Sequence, residues 1–185
     1  TQITKADLLI FEERVKQAFL EKRIHAPIHL SGGNEDMVLE VFQHIRPQDW
    51  VFSTWRSHYH ALLKGVPPER LFQAILDGRS MYYQDREHKF MTSALVGGIL
   101  PIALGVALGA KRLGLDESIW VFVGDMAART GICHETLHYA VGHRLPLIMV
   151  LEDNGLSTNT PTCKVWGEHV GQFPKWYQYV YERAV

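Results

Sequence analysis

Two cysteines, Cys133 and Cys163, are too few for a disulfide framework, so the expectation is a reducing, cytoplasmic setting. Neither sign of charge is in excess: the formal net charge is −1, which argues against nucleic acid or an anionic membrane as the main partner. The 185 residues contain no internal repeat, no low-complexity tract and no signal-peptide pattern. Long hydrophobic runs are also lacking, with one exception. The segment SALVGGILPIALGVALGA, residues 93–110, carries no charge over 18 positions, the lower limit for a membrane-spanning helix. It contains a proline, has no flanking aromatic belt and stands alone, so a buried helix of a soluble protein is expected. Gly97, Pro101, Gly105 and Gly109 recur every fourth position and make a smooth stripe for close packing on a neighbour.

What is present reads as one α/β domain. Residues 5–22 place Leu8, Leu9, Phe11, Val15, Ala18 and Phe19 at helical spacing. The loop Ser31-Gly32-Gly33-Asn34 precedes a second helix over 35–45. A short strand is expected at 50–54, a helix over 56–65, and another opening with Pro67 and Pro68, where a first turn tolerates proline. Residues 80–89 are polar and irregular and read as a loop. IWVFVGD, the helix carrying HETLH and LIMVLEDN then form a strand–helix–strand unit with short connections. The fold class expected is α/β, three-layer, with a mostly parallel sheet and helices on both faces.

Ligands of open parallel sheets sit just beyond the carboxyl ends of the strands. Gly124-Asp125 and Asp153-Asn154 mark two such ends. Each is a common turn former by itself. Jointly they bring two hard oxygen donors to one edge, which suits Mg²⁺ or Ca²⁺ better than zinc. A competing metal motif lies between them. HETLH places His134 and His138 one helical turn apart with Glu135 as a candidate general base, the pattern of a zinc hydrolase. His143 does not fall at the spacing of the extended motif.

The segment VGDMAARTGICHETLHYAVGHRLPLIMVLEDNGLSTNTP resembles the thiamine-diphosphate signature, which opens with Gly-Asp-Gly and closes with Asn-Asn. IHLSGGNED, VFSTWRSHYHALLKGVPPERLF and SALVGGILPIALGVALGAK are similar, in the same order, to segments of one family. That family is the α subunit of the decarboxylating component of 2-oxo acid dehydrogenases, of pyruvate, branched-chain and acetoin type. The resemblance runs from about Ile28 to Pro161. It implies thiamine diphosphate and Mg²⁺ as cofactors, with Asp125, the Asn154 side chain and the Leu156 carbonyl as metal ligands. Cofactor contacts would come from Trp55, Arg56, Ala94, Val96, Gly124, Asp125, Met126, Ala127 and Asn154, and His58 and His60 would line the substrate end as catalytic residues. The substrate implied is a small 2-oxo acid. The partner implied is a β-type subunit supplying a pyrimidine-binding domain and an activating glutamate, so the chain alone would be inactive. Self-association is expected through the glycine-rich helix, 94–110.

The sequence departs from that pattern at four places. Met126 stands at the signature's second glycine, its side chain expected to point away from the diphosphate, and Arg129 stands where an asparagine is usual. The glycine-rich loop is reduced to Gly78-Arg79-Ser80-Met81-Tyr82-Tyr83, with Tyr82 in the place of a histidine. The sequence ends 31 residues past Asn154, so the single diphosphate-binding domain, 1–185, is expected to lack the usual C-terminal strands. Three alternatives stay open: half of a split transketolase-like enzyme, a non-catalytic homologue, and the HExxH zinc hydrolase.

Overall fold

A computed structural model describes residues 3–167 and 177–183. Helix α1, Lys5–Leu20, opens on a capping box in which Thr4 and Asp7 satisfy each other's backbone N–H groups. It buries Leu8, Phe11, Val15 and Ala18 of the apolar stripe read from the sequence, while Leu9 and Phe19 are exposed. Then follow α2 (Glu35–Phe42), β1 (Trp50–Ser53), α3 (His58–Leu63), α4 (Pro68–Leu76), β2 (Gln84–Asp85) and β3 (Phe90–Thr92). The second half contains α5 (Ile99–Leu113), β4 (Ile119–Gly124), α6 (Asp125–Ala128), α7 (Gly131–Gly142) and β5 (Leu147–Asp153). A small hairpin, β6 (Leu156–Ser157) and β7 (Thr160–Pro161), leads to α8 (Thr162–Trp166), and β8 spans Tyr177–Val180.

The main sheet has the order β2-β3-β1-β4-β5-β8. Every neighbouring pair is parallel except β2 with β3. Alternation along the strands feeds two cores. Trp120, Phe122 and Val150 face helices α1 to α4, together with Val51 and Phe90. Ile119, Val121, Val123, Leu147, Met149 and Leu151 face α5 and α7. The result is the expected three-layer α/β arrangement.

Two readings need correction. The stretch 80–89 is not wholly irregular: Gln84–Asp85 pair with Met91 and Phe90, and Phe90–Thr92 form a parallel strand beside β1. A three-residue strand is too short to show a period of two. The glycine-rich helix begins only at Ile99, and it is buried on one face, through Leu100, Ala103, Ala107 and Ala110. Pro101 and Gly105 are exposed, and a Cβ placed on Gly105 or Gly109 would meet nothing within 4 Å. That part of the stripe packs on no neighbour among the described residues. Gly97 differs: its φ is +71°, and a Cβ there would lie 2.7 Å from Ile132 Cγ2, so the turn before α5 needs glycine to seat against α7. Among the described residues, no helix is long and apolar enough to cross a membrane.

Candidate functional site

The connections that leave β1 and β4 go to opposite faces of the sheet, β1 to α3 and β4 to α6 and α7. The two strands are adjacent, so their carboxyl ends diverge into a crevice, the place where parallel sheets bind ligands. The β1–β4 ladder stops at Phe52 and Val121. Above that point lies a cleft lined by Thr54–Arg56, Leu95–Gly97, Val123–Ala127 and Leu156–Thr158, enclosing about 560 Å³ including its mouth. A second groove adjoins it, shares Arg56 and Thr158, and is bordered by Glu12, His29, Ser31–Gly33 and Arg183.

Of the residues the sequence singled out, Trp55, Arg56, Val96, Gly124, Asp125, Met126, Ala127 and Leu156 line this one cleft. Asp125 is 3% exposed. Burial pushes its carboxyl upward, and the nearby Asp153 adds to that; the Thr162 hydroxyl, donating to Asp125 Oδ2, and the Arg129 charge oppose it. Arg56 carries a buried Nε with no hydrogen-bond partner. Burial, with Arg183 as a like charge, lowers its pKa. The cleft therefore holds a carboxylate and a guanidinium whose polar demands the protein only partly meets. Trp55 leans on His29, with ring centroids 5.9 Å apart. Met126 stays in the cleft wall, its sulfur accepting from Trp166 Nε1 at 2.9 Å.

The other candidates do not line the cleft themselves. Ala94 is exposed and outside the lining. Asn154 is half-buried at the end of β5; its Oδ1 accepts from Leu156 N at 3.0 Å and its Nδ2 donates to Tyr181 OH at 3.3 Å. His58 and His60, placed at the substrate end by resemblance, are 0% and 2% exposed and line neither cavity. The His58 ring bridges Glu12 Oε1 at 3.0 Å and Ser80 Oγ at 2.9 Å. His60 contacts Ser53 Oγ at 2.7 Å. Both rings occupy the core between α3 and its neighbours, so in this arrangement neither reaches the cleft. Tyr82 is exposed and outside both cavities. Sequence reasoning did not find Thr158, Thr162, Glu152 or Arg183; only the fold brings them near, and no spacing signals them.

HETLH lies on α7 with His134, Glu135 and His138 exposed, while Cys133, Thr136, Leu137 and Ala140 pack on the sheet. Among the described residues, the one His/Cys/Asp/Glu cluster with metal-like spacing is Asp85, Glu87 and His88, so no third such ligand completes a site at HETLH. The Asp85 cluster is itself engaged with Arg70.

Fold and cleft together define an α/β protein with a ligand crevice at the carboxyl ends of a parallel sheet, lined by one buried carboxylate and one part-buried arginine whose Nε is shut off from solvent. Residues 5–166 match the model of the dehydrogenase E1 component family, and the chain belongs to that family. It is 32% identical over 160 residues to the alpha subunit of acetoin:2,6-dichlorophenolindophenol oxidoreductase of Cupriavidus necator, covering 81% of this chain and 48% of that protein. The Bacillus subtilis subunit of the same name is 30% identical over 161 residues, covering 82% and 48%. The chloroplastic pyruvate dehydrogenase E1 component subunit alpha-3 of Arabidopsis thaliana is 28% identical over 160 residues, covering 78% and 37%. The chain thus spans about half the length of the two oxidoreductase relatives.

Proposed function

We propose that the chain is the diphosphate- and magnesium-binding α-type part of a thiamine-diphosphate-dependent enzyme that decarboxylates a 2-oxo acid. The observation that carries this is the coincidence of Arg56 and Asp125 in one crevice. A buried guanidinium Nε lacking an acceptor suits a diphosphate oxygen, and a buried carboxylate at a strand end suits Mg²⁺. The oxygen-only donors at Asp125, Asn154 and the Leu156 carbonyl fit a hard cation. Asn154 Oδ1 accepts from Leu156 N through one lone pair, which leaves the second for a cation.

When bound, thiamine diphosphate supplies the electron sink for loss of CO₂. The residues of this chain bind and orient. Arg56 would neutralise diphosphate charge, and Asp125, Asn154 and the Leu156 carbonyl would hold the cation. Trp55 and Val96 wall the cleft with apolar surface, and that low-dielectric wall strengthens each charged contact inside. The activating glutamate and the rest of the pocket would come from a β-type partner, with self-association through the exposed Pro101–Gly105 face of α5. An acyloin substrate is a second reading, favoured by the two relatives whose names carry acetoin.

The test is reconstitution of the chain with a β-type subunit, followed by dye reduction with Mg²⁺ and thiamine diphosphate. Turnover with pyruvate or a longer 2-oxo acid supports the proposal. Turnover with acetoin alone selects the acyloin reading, and turnover only with sugar phosphates replaces both by a transketolase-like function.

A further inference from the structure

Below the cleft, on the side of the sheet covered by α1 to α4, one side chain crosses three strands. His60 Nδ1 lies 2.7 Å from Ser53 Oγ at the end of β1. Its ring lies over Phe122 of β4, centroids 4.1 Å apart and 29° from coplanar. Its Nε2 is 3.3 Å from Glu152 Oε1 on β5, close but without hydrogen-bond alignment. Glu152 Oε1 in turn accepts from Asn34 Nδ2 at 3.2 Å and from the Tyr179 hydroxyl on β8. Ser53, His60 and Glu152 are 0%, 2% and 8% exposed. The residue types are those of a serine–histidine–acid triad, but no substrate reaches a serine with no exposed surface, so nucleophilic chemistry is ruled out by access.

The location gives the group another use. Strands β1 and β5 are not neighbours; β4 separates them. The β1–β4 ladder ends at Phe52, whereas the β4–β5 ladder continues to Gly124 and Glu152. Ser53 has therefore already left β4 when the chain turns into Thr54–Arg56, and the crevice opens at that point. Among the described residues, no strand pairing joins the Arg56 segment directly to the Asn154 segment beyond those ladder ends. The His60 ring crosses that gap, touching the residue just before Thr54 and the residue just before Asp153.

We propose that His60 is a positioning residue for the cleft: it sets the separation of the β1 and β5 ends, and so of Arg56 from Asn154, without touching a ligand. This rests on reading the cleft as the diphosphate and cation site. The ring can span both ends because its two nitrogens diverge: Nδ1 hydrogen-bonds the Ser53 hydroxyl, the Phe122 stack fixes the ring plane, and Nε2 is left 3.3 Å from the Glu152 carboxylate as a close polar contact.

The experiment compares the full chain with His60→Phe, which keeps the stack on Phe122 and removes both polar ends, and with Ser53→Ala, which removes one. Three quantities are measured: affinity for thiamine diphosphate with Mg²⁺ by calorimetry, the thermal midpoint, and amide hydrogen exchange without ligand. We expect His60→Phe to weaken affinity at least tenfold. Exchange should rise at 54–56 and 153–157 together, while the rest of the core exchanges as in the wild type. Ser53→Ala should show the same pattern at smaller amplitude, and it replaces His60→Phe should that variant not fold. Wild-type affinity in both variants, or an exchange increase spread evenly over the core, would overturn the proposal. Should the wild type itself bind no thiamine diphosphate, the cofactor reading fails, and the exchange pattern alone decides whether His60 braces the two strand ends.

Discussion

Arg56 has its Nε shut away from solvent without an acceptor, and Arg183 stands near enough to lower its pKa further. A guanidinium so placed gains from an anion what it lost on burial. Arg56→Met should therefore weaken thiamine diphosphate binding by roughly 10- to 150-fold, the worth of a charged hydrogen bond of about 1.5–3 kcal/mol. Calorimetry on the variant checks this, and an unchanged affinity would remove Arg56 from the site. At this scale the sequence was legible where a residue type sits at a strand end. Asp125, Arg56 and Leu156 line the cleft because their strands stop beneath it. It was not legible for His58 and His60. A histidine in a short helix looks the same in sequence whether its ring turns to a cleft or to a core. What settles the matter is partners 46 and 22 positions away, Glu12 and Ser80, for His58, and Glu152 for His60.

Elements depend on a few such details. The β2–β3 hairpin, unseen in the sequence, is held by Asp85. Its carboxylate accepts from Arg70, Tyr83 and His88, and although burial pushes its pKa up, these partners bring it down to about 2. A carboxyl whose folded pKa is depressed adds stability above its unfolded value near 4, and that stability is lost as pH falls toward about 2. Asp85→Asn should cost on the order of 1–2 kcal/mol at pH 7, and the cost should shrink between about pH 4 and pH 2. Denaturant unfolding at a series of pH values reads this out. The turn into α5 gives a second prediction. Gly97→Ala meets both the Ile132 clash and a positive φ, and should destabilise by about 2–3 kcal/mol. Adding Ile132→Ala should relieve the clash and leave only the backbone cost of about 1 kcal/mol. By contrast, Gly105→Ala faces open space and should stabilise the isolated chain by up to about 1 kcal/mol. The same change should weaken self-association if two copies meet on that face; thermal melts and sedimentation velocity separate the two effects. The glycine stripe was visible in the sequence, but its direction was not, because a four-residue period fixes a face and not what lies opposite.

For the whole molecule, the strand–helix–strand pattern from Ile119 to Asn154 sufficed to infer a parallel sheet with helices on both faces, and that sheet creates the crevice at the carboxyl ends of β1 and β4. The order of strands could not be read, since β3 inserts beside β1 from a stretch with no strand period. Membership of the dehydrogenase E1 component family and the lining of the crevice support the proposed account, in which this chain would bind the diphosphate and its cation and a partner would complete the site. The most direct measurement is a calorimetric titration of the purified chain, alone and with a β-type subunit, with thiamine diphosphate in the presence and absence of Mg²⁺. The account predicts binding that requires Mg²⁺ and falls at least tenfold in Asp125→Ala and in Asn154→Ala, measured at a temperature where each variant is folded. No binding in either assembly, or binding indifferent to Mg²⁺ and to both substitutions, would contradict it.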